Sequence, residues 1–261
     1  MSVTIETLDR NTLVGFILVL ARVSPLFLLA PPFSSSMVPV RARVIVAVAI
    51  AIGLAPLALH GQAIPADAVR IVELALKEIV IGLGFAMAIA CLFAAVDAAG
   101  AMIDTQIGLN FGSLVNPVDN TQSGTMSQLY AMVGILVFIV IDGEAWVIRG
   151  LARTYELVPM LAFPSLSRMT AAVSDAFIGI FTAALEVAAP VLLALILTDV
   201  AFGVVSRVVP QLNIFAVGFP VKIIVGLLVV AAALPFMGTW FYDQLRHSVE
   251  TGLAGIGMGA I

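Results

Sequence analysis

One stretch between two long apolar segments constrains the fold more than any other part of the sequence. Residues 210–222 read PQLNIFAVGFPVK and combine two prolines, a glycine, two amide side chains and a lysine. A bilayer accommodates irregular backbone of this kind only where protein or water satisfies its polar groups. The stretch is therefore predicted to be buried against a partner or to line a passage. Its candidate break and assembly residues are Pro210, Gln211, Asn213, Gly218, Pro220 and Lys222.

The composition is that of a membrane protein. Hydrophobic residues make up 62% of the 261 residues and charged residues 11%, whereas soluble domains average about 45–50% apolar and about 25% charged residues. This excess predicts an all-α, polytopic integral membrane protein in contact with membrane lipid, with residues 1–261 forming a single membrane domain. The net charge of −4 argues against a nucleic-acid partner.

The sequence carries none of the short motifs that indicate an enzyme. Its one cysteine, Cys91, excludes a disulfide framework and a cysteine zinc site. His60 and His247 fall in predicted loops or ends and form no HExxH motif, and neither a GxSxG turn nor a Walker loop is present. We therefore expect no catalytic residue, no cofactor and no metal.

Six apolar segments follow one another along the chain. They are Leu13–Ala30, Val44–Leu59, Ile79–Val96, Leu129–Ile141, Ala176–Thr198 and Ile223–Trp240. A spanning helix needs about 20 residues, so the short fourth segment favours a core helix or a re-entrant segment. Prolines and glycines between the segments predict helical hairpins. Just before the third segment, Glu73 and Lys77 are spaced to form an i,i+4 pair on an exposed helix.

Five ionisable side chains lie inside or at the edge of apolar runs: Arg22, Asp97, Asp104, Glu186 and Asp199. Each is costly toward lipid and is expected to face protein or water. For Arg22, Glu186 and Asp199 the alternatives are a structural ion pair between helices or a functional role. Asp199 and Arg207 are spaced to share a helix face. Asp97 and Asp104 fall on one helix face with two glycines, which fits close helix packing and a channel-facing role equally.

A long loop follows that face. Residues 103–124 read IDTQIGLNFGSLVNPVDNTQSG and lie in a region from Glu78 to Ile148 that holds no lysine or arginine. Helix–helix connections usually take about 2–8 residues, and the apolar side chains of this loop need burial. An ordinary surface loop is one interpretation. A plug inside a pore is the other, within the span 97–128, and its candidate residues are Gly108, Leu109, Asn110, Phe111, Gly112, Ser113, Leu114, Val115, Asn116 and Pro117.

Three stretches carry a family resemblance and together cover most of the chain. The first is RVSPLFLLAPPFSSSMVPVRAR at 22–43. The second is GAMIDTQIGLNFGSLVNPVDNTQSGTMSQLY at 100–130, followed by VFIVIDGEAWVIRGLARTYELVP at 137–159. The third is RVVPQLNIFAVGFPVKIIVGL at 207–227. They resemble the FliR family of type III export-gate subunits, called SctT in injectisomes. The GFPVKI ending resembles the flagellar branch, while residues 110–117 and 142–146 depart from the common family pattern.

The resemblance implies a structural and gating subunit of the flagellar type III protein export apparatus, in the bacterial inner membrane at the flagellar basal body. It implies bent helical hairpins assembled into a spiral export-gate complex. The implied partners are FliP-like and FliQ-like subunits, with an FlhB-like subunit alongside. Unfolded flagellar proteins would pass through the pore, and the loop at 108–124 would help to close it.

Three alternatives remain open at the level of sequence. Besides the flagellar subunit, the chain fits the equivalent subunit of a virulence injectisome, a secondary transporter of small solutes, or a scaffold of an envelope complex. A transporter also uses broken helices and intramembrane charges. It would be expected to show an internal repeat, and the Glu186–Pro190 interruption has no counterpart in the first half of the sequence.

Overall fold

Every regular element that the structure describes is a helix. The computed structural model describes residues 10–35, 38–59, 64–65, 67–109, 124–211 and 213–257, and these ranges contain no strand. The helices are α1 (Arg10–Leu29), α2 (Pro31–Ser34), α3 (Val40–Ala58), α4 (Ala68–Ile107), α5 (Thr125–Val140), α6 (Gly143–Leu157), α7 (Leu166–Val208) and α8 (Ile214–Ile256).

Five of these helices, α1, α3, α4, α7 and α8, are long and apolar enough to cross a membrane. The helices α5 and α6 pass the same test only as a pair and meet at a bend of 73°, as in a broken span or a re-entrant loop. Asp142 lies at this bend with a φ of 54°, a left-handed conformation that aspartate adopts more readily than most residues. The predicted all-α polytopic membrane fold is confirmed.

Three helices are far longer than the apolar segments that predicted them. The helix α4 has 40 residues, and α7 and α8 have 43 each. At about 1.5 Å per residue this is roughly 60 Å of helix, about twice the thickness of a bilayer hydrocarbon core. The apolar segments end near charged residues, but the helices continue because charges such as Asp104 in α4 and Asp199 in α7 find partners within the protein.

The break between α7 and α8 is shorter than the sequence predicted. Pro210, Gln211 and Asn213 lie in it, as expected. The side-chain oxygen of Asn213 accepts a hydrogen bond from the backbone N–H of Ala216 at 3.2 Å. Asparagine is a preferred residue for capping a helix N-terminus in this way, so α8 resumes immediately after the break.

The remaining three break residues, Gly218, Pro220 and Lys222, lie inside α8. The expectation that Pro220 bends the chain between the two helices is therefore wrong. A proline removes one backbone hydrogen bond from a helix, and neighbouring groups in membrane proteins often compensate for such a loss. One missing bond in the second turn of a 43-residue helix does not end it.

The chain divides into two compact units. The first unit comprises Met1–Cys91, Asp142–Phe177 and Leu245–Ile261, and the second comprises Leu92–Ile141 and Ile178–Gln244. The long helices α4, α7 and α8 each contribute residues to both units.

In the first unit, α1 packs against α3 and against the first half of α4. Gly82 of α4 permits the second contact, because a Cβ at this position would overlap the carbonyl oxygen of Arg22 and lie 3.0 Å from Pro25 Cγ. The surrounding core is apolar, and Leu18 and Phe85 are fully buried. The backbones of α1 and α4 therefore approach one another closely at Gly82.

Aromatic rings form the centre of the second unit. Phe93 of α4 meets Phe138 of α5 and Phe241 of α8 edge to face, with ring centroids 5.7 and 5.4 Å apart. Such pairs contribute about 0.5–1.5 kcal/mol beyond the area that they bury. This cluster joins three helices at one point.

Replacing Gly82 with alanine is predicted to destabilise the first unit by about 1–3 kcal/mol, the usual cost of overpacking. The added methyl group meets backbone atoms of α1, which cannot move aside as a flexible side chain would. Gly53 of α3 is the matched control, since nothing lies within 4 Å of a Cβ there, and alanine at that position should stabilise the helix by up to about 1 kcal/mol. The measurement is the midpoint of thermal aggregation of the tagged protein in detergent-solubilised membranes. Equal midpoints for the two variants would contradict the prediction.

Candidate functional site

A buried ion cluster joins α1, α4 and α6 in the first unit. Arg22 donates a hydrogen bond from Nε to the carboxylate of Glu78, and neither side chain has exposed surface. The Arg22 Nη1 donates to Thr154 Oγ1, and Nη2 donates to the carbonyl of Val158, each at 3.1 Å. The guanidinium carbon lies 4.0 Å from the ring centroid of Tyr155. Arg22 is thus enclosed by protein groups that suit its charge.

Lys77 completes this ion cluster. Its Nζ lies 2.9 Å from Glu78 Oε1 and donates hydrogen bonds to the carbonyls of Met160 and Ala162, the latter at 3.0 Å. These two carbonyls belong to the connection between α6 and α7. Lys77 and Arg22 together therefore fix the end of α6 and the segment that follows it.

The predicted pair between Glu73 and Lys77 is wrong. Glu73 instead pairs with Arg70 at 2.6 Å, near the exposed start of α4. An i,i+4 pair on a helix surface contributes only about 0.2–0.5 kcal/mol. The buried carboxylate of the adjacent Glu78 and the carbonyls of Met160 and Ala162, which are distant in the sequence, are stronger partners for Lys77.

The ion cluster contains two cations and one anion, and the end of α6 offsets the excess positive charge. The last carbonyls of a helix lack partners within the helix and together carry about half a negative charge. Arg22 donates to Thr154 and Val158 at this end of α6. Glu78 is thus the only full negative charge within the cluster, and both cations depend on it.

The sequence predicted that Arg22 faces protein or water, but it did not identify Glu78 and Lys77 as members of the same cluster. Both precede the third apolar segment directly, and their position was interpreted as an exposed helix start. The missing signal is the requirement that a buried arginine have a carboxylate partner. Because Arg22 needs such a partner, the candidates are acids at the edges of the other apolar segments. Glu78, at the start of the third segment, is one of them.

In the second unit, Asp104 joins the two ends of the long loop. Its carboxylate accepts hydrogen bonds from the backbone N–H groups of Met126 and Ser127 in the first turn of α5, both at 2.9 Å. A negative charge is favourable at a helix N-terminus. The Asp104 carbonyl accepts hydrogen bonds from the backbone N–H groups of Gly108 and Leu109, both at 3.0 Å. The loop therefore leaves α4 and enters α5 beside the same residue.

Of the candidate plug residues, the structure describes Gly108 and Leu109. Gly108 has a φ of 91°, a conformation that favours glycine, and it turns the chain out of α4. The other candidates lie outside the described residues: Asn110, Phe111, Gly112, Ser113, Leu114, Val115, Asn116 and Pro117.

The predicted face of α4 is used for close helix packing at Gly100. A Cβ there would lie 2.5 Å from Ser127 Cα and 2.7 Å from the carbonyl oxygen of Met126. Ser127 Oγ also donates a hydrogen bond to the Asp97 carbonyl at 3.2 Å. The side chain of Asp97 itself is exposed. Packing therefore accounts for Gly100 and Asp104, while the Asp97 carboxylate remains available to groups outside the chain.

Asp199 of α7 links to α4 and α8 close to the start of the loop. Its carboxylate lies 2.9 Å from Lys222 Nζ and accepts a hydrogen bond from Gln106 Nε2 at 3.1 Å. A buried lysine needs a carboxylate or carbonyl partner, and Asp199 of the same chain supplies a carboxylate to Lys222. Asp199 pairs with Lys222 rather than with Arg207, which is exposed near the end of α7.

Glu186 is an exposed residue in the middle of α7. Trp240 of α8 donates a hydrogen bond from Nε1 to Glu186 Oε2 at 3.0 Å. A carboxylate has about four acceptor positions, so this bond orients the group without exhausting its capacity.

The polar side chains described above form links between helices. Within the residues that the structure describes, no group of three or more His, Cys, Asp or Glu side chains is arranged to hold a metal ion. The polar groups of the first unit fix α1, α4 and α6 together. In the second unit, Asp104 and Asp199 bind near the ends of the long loop, and Glu186 binds Trp240 in the middle of α7.

Replacing Glu78 with glutamine is predicted to destabilise the protein more than replacing Lys77 with methionine. Glu78→Gln leaves two buried cations without a full negative charge, whereas Lys77→Met leaves the neutral pair of Arg22 and Glu78. Breaking a buried ion pair costs about 3–5 kcal/mol. The thermal midpoint in solubilised membranes measures the difference. The double variant should recover part of the loss, and a double variant no more stable than Glu78→Gln would refute the charge argument.

Comparison with known proteins extends over nearly the whole chain. Residues 13–248 match the family model described as bacterial export proteins, family 1. The chain is 32% identical to the flagellar biosynthetic protein FliR of Escherichia coli, over 91% of this chain and 90% of that protein. It is 28% identical to FliR of Bacillus subtilis, over 91% and 92% of the two chains.

A second group of relatives carries a different name. The chain is 28% identical to the surface presentation of antigens protein SpaR of Salmonella typhimurium, over 94% of this chain and 97% of that protein. The match to the family model begins within α1 and ends within α8, so it includes the ion cluster, the Asp104 contacts and the Asp199–Lys222 pair. The chain therefore belongs to family 1 of the bacterial export proteins, the FliR family.

Proposed function

We propose that this chain is a structural and gating subunit of the flagellar type III protein export apparatus. It forms part of the inner-membrane pore through which unfolded flagellar proteins pass. The observation that carries the proposal is the extent of the family match, from residue 13 to residue 248. FliR of Escherichia coli is 32% identical over 90% of its length, which supports the same role for this chain.

The uncovered surface of the long helices supports a role within a larger assembly. In the most apolar 18-residue stretch of α8, only 17% is buried within the chain. In the corresponding stretch of α7, 33% is buried. Large apolar surfaces of this kind are covered by lipid or by other subunits. We assign the protein-covered part to FliP-like and FliQ-like neighbours, with an FlhB-like subunit alongside.

The long loop between α4 and α5 is proposed to close the pore. Its sequence lacks positive charge and includes apolar residues that need burial. Asp104 binds the first turn of α5 and also lies at the end of α4, so both ends of the loop are held together. The pair of Asp199 and Lys222 lies beside Gln106, two residues before Gly108. A plug requires fixed ends of this kind if it is to return to one position after each opening.

The flagellar branch is favoured over the injectisome branch by the names of the relatives and by one stretch of the sequence. The relatives named FliR include those of Escherichia coli and Bacillus subtilis, at 32% and 28% identity, and SpaR of Salmonella typhimurium is 28% identical. The ending GFPVKI at residues 218–223 also resembles the flagellar branch. The two branches differ in the proteins that they export, which gives a direct test.

Deleting the gene for this chain in its host is predicted to abolish swimming and the release of flagellar filament and hook proteins into the medium. A wild-type copy should restore both, because the subunit acts in export rather than in synthesis of the cargo. Swimming in soft agar and immunoblots of the medium measure the two effects, with the intracellular hook protein as the control. A deletion strain that swims normally but loses secretion of virulence proteins would support the injectisome branch instead.

Replacing residues 110–117 with a glycine–serine linker of the same length is predicted to leave the complex assembled but leaky. The linker keeps Asp104 and Gly108, and therefore the ends of the loop, but it removes the apolar side chains proposed to seal the pore. Co-purification of the other subunits measures assembly, and entry of a membrane-impermeant dye into cells measures the leak. An assembled complex that stays sealed would show that these side chains do not form the plug.

A further inference from the structure

The net negative charge of the chain belongs entirely to the second unit. The first unit contains ten acidic and ten basic residues, whereas the second contains six acidic and two basic residues. Three of the six acids have partners within the described chain: Asp104 binds backbone N–H groups of α5, Asp199 pairs with Lys222, and Glu186 accepts a hydrogen bond from Trp240. A unit built from apolar helices thus presents an excess of negative charge to its surroundings.

Glu186 lies on a continuous apolar face of α7. Phe181, Leu185, Ala189 and Leu193 follow one another at steps of four residues, which places them along one side of the helix. Phe181 is 67% exposed, Leu185 52% and Leu193 60%, and Ala189 is also exposed. Glu186 projects from the same side, between the second and third of these positions. We call these five residues the Glu186 face.

Lipid is a poor partner for this face. A carboxylate within an apolar transmembrane surface is costly when it faces hydrocarbon, and such residues normally face protein or water. The bond from Trp240 holds one carboxylate oxygen but brings no positive charge. A lysine or arginine on a facing helix would neutralise the carboxylate and form charge-assisted hydrogen bonds with it.

The shape of the face favours a helix as the partner. Ala189 is small and lies within one turn of Glu186, and small residues allow helix backbones to approach closely in membranes. The larger side chains on either side, Phe181 and Leu193, would pack against apolar residues of the partner. The face therefore combines an apolar stripe, a close-approach point and one unneutralised charge.

We infer that the Glu186 face docks a membrane helix of another subunit, and that this helix carries a lysine or arginine level with Glu186. The inference rests on the proposed function, because the other subunit belongs to the same apparatus. It adds the chemistry of the contact, which is an apolar helix with one basic side chain.

Two substitutions separate the charge of Glu186 from its bond within the chain. Glu186→Gln keeps an oxygen acceptor for Trp240 but removes the charge, whereas Trp240→Phe keeps the charge and removes the bond. In complexes purified from the native host through a tag on this chain, Glu186→Gln should lower the recovery of the neighbouring subunit by roughly tenfold or more. Trp240→Phe should lower it far less. Asp175→Asn, which removes an exposed acid from the same helix in the first unit, is the matched control.

Crosslinking identifies the occupant. A photo-reactive residue at Ala189 should capture one membrane subunit at a peptide with a lysine or arginine within about one helical turn. The same residue at Ala188, which is fully buried, should not. An acidic substitution of the captured basic residue should restore assembly with Glu186→Lys.

Several results would overturn the inference. In the co-purification, the contradicting result is normal recovery of the neighbouring subunit with Glu186→Gln. In the crosslinking, it is capture from Ala189 of only lipid or exported protein, or of a subunit peptide that has no basic residue. Failure of the proposed function is a different result, namely a deletion strain that still swims and exports flagellar proteins. Loss of export on deletion together with intact assembly of Glu186→Gln would contradict the docking alone.

Discussion

An arginine inside an apolar helix must be given partners, and the first unit is organised around this requirement. Gly82 brings α4 against the backbone of α1 at Arg22, and Glu78, one turn earlier on α4, then reaches the guanidinium. The other donors of Arg22 hold the end of α6, and Lys77 holds the connection that follows it. Apolar packing alone is tolerant of small shifts, whereas these directional bonds specify one arrangement of the helices.

The second unit places its polar contacts at the end of α4. Asp104 binds the start of α5, and Gln106 bonds to Asp199, which in turn pairs with Lys222 of α8. Four helices are thus connected within a few residues of the long loop. The aromatic cluster around Phe93 joins three of these four helices, α4, α5 and α8. Fixed loop ends of this kind fit the proposed role of the loop as a plug.

The sequence predicted those features that depend on composition and local pattern. The membrane class, the apolar segments, the weak fourth segment and the break at Pro210 all follow from residues close together in the chain. Helix lengths did not follow, because Asp104 and Asp199 are accommodated by residues far away in sequence. The partners of Arg22 and the carbonyl partners of Lys77 were missed for the same reason, and Lys77 was assigned to Glu73 because helix spacing favours an i,i+4 pair. Pro220 was placed in the break, although a long helix tolerates it.

The fixed ends of the loop at Asp104 also bear on how such a subunit can change over evolutionary time. Closing a flexible loop costs conformational entropy that grows only with the logarithm of its length, about 0.6 kcal/mol for each doubling. Since Asp104 joins the ends through α4 and α5, the helices fold in the same way over a wide range of loop lengths and compositions. Under the proposed function, a lineage can therefore adjust the seal of the pore to new cargo while the helical frame remains unchanged.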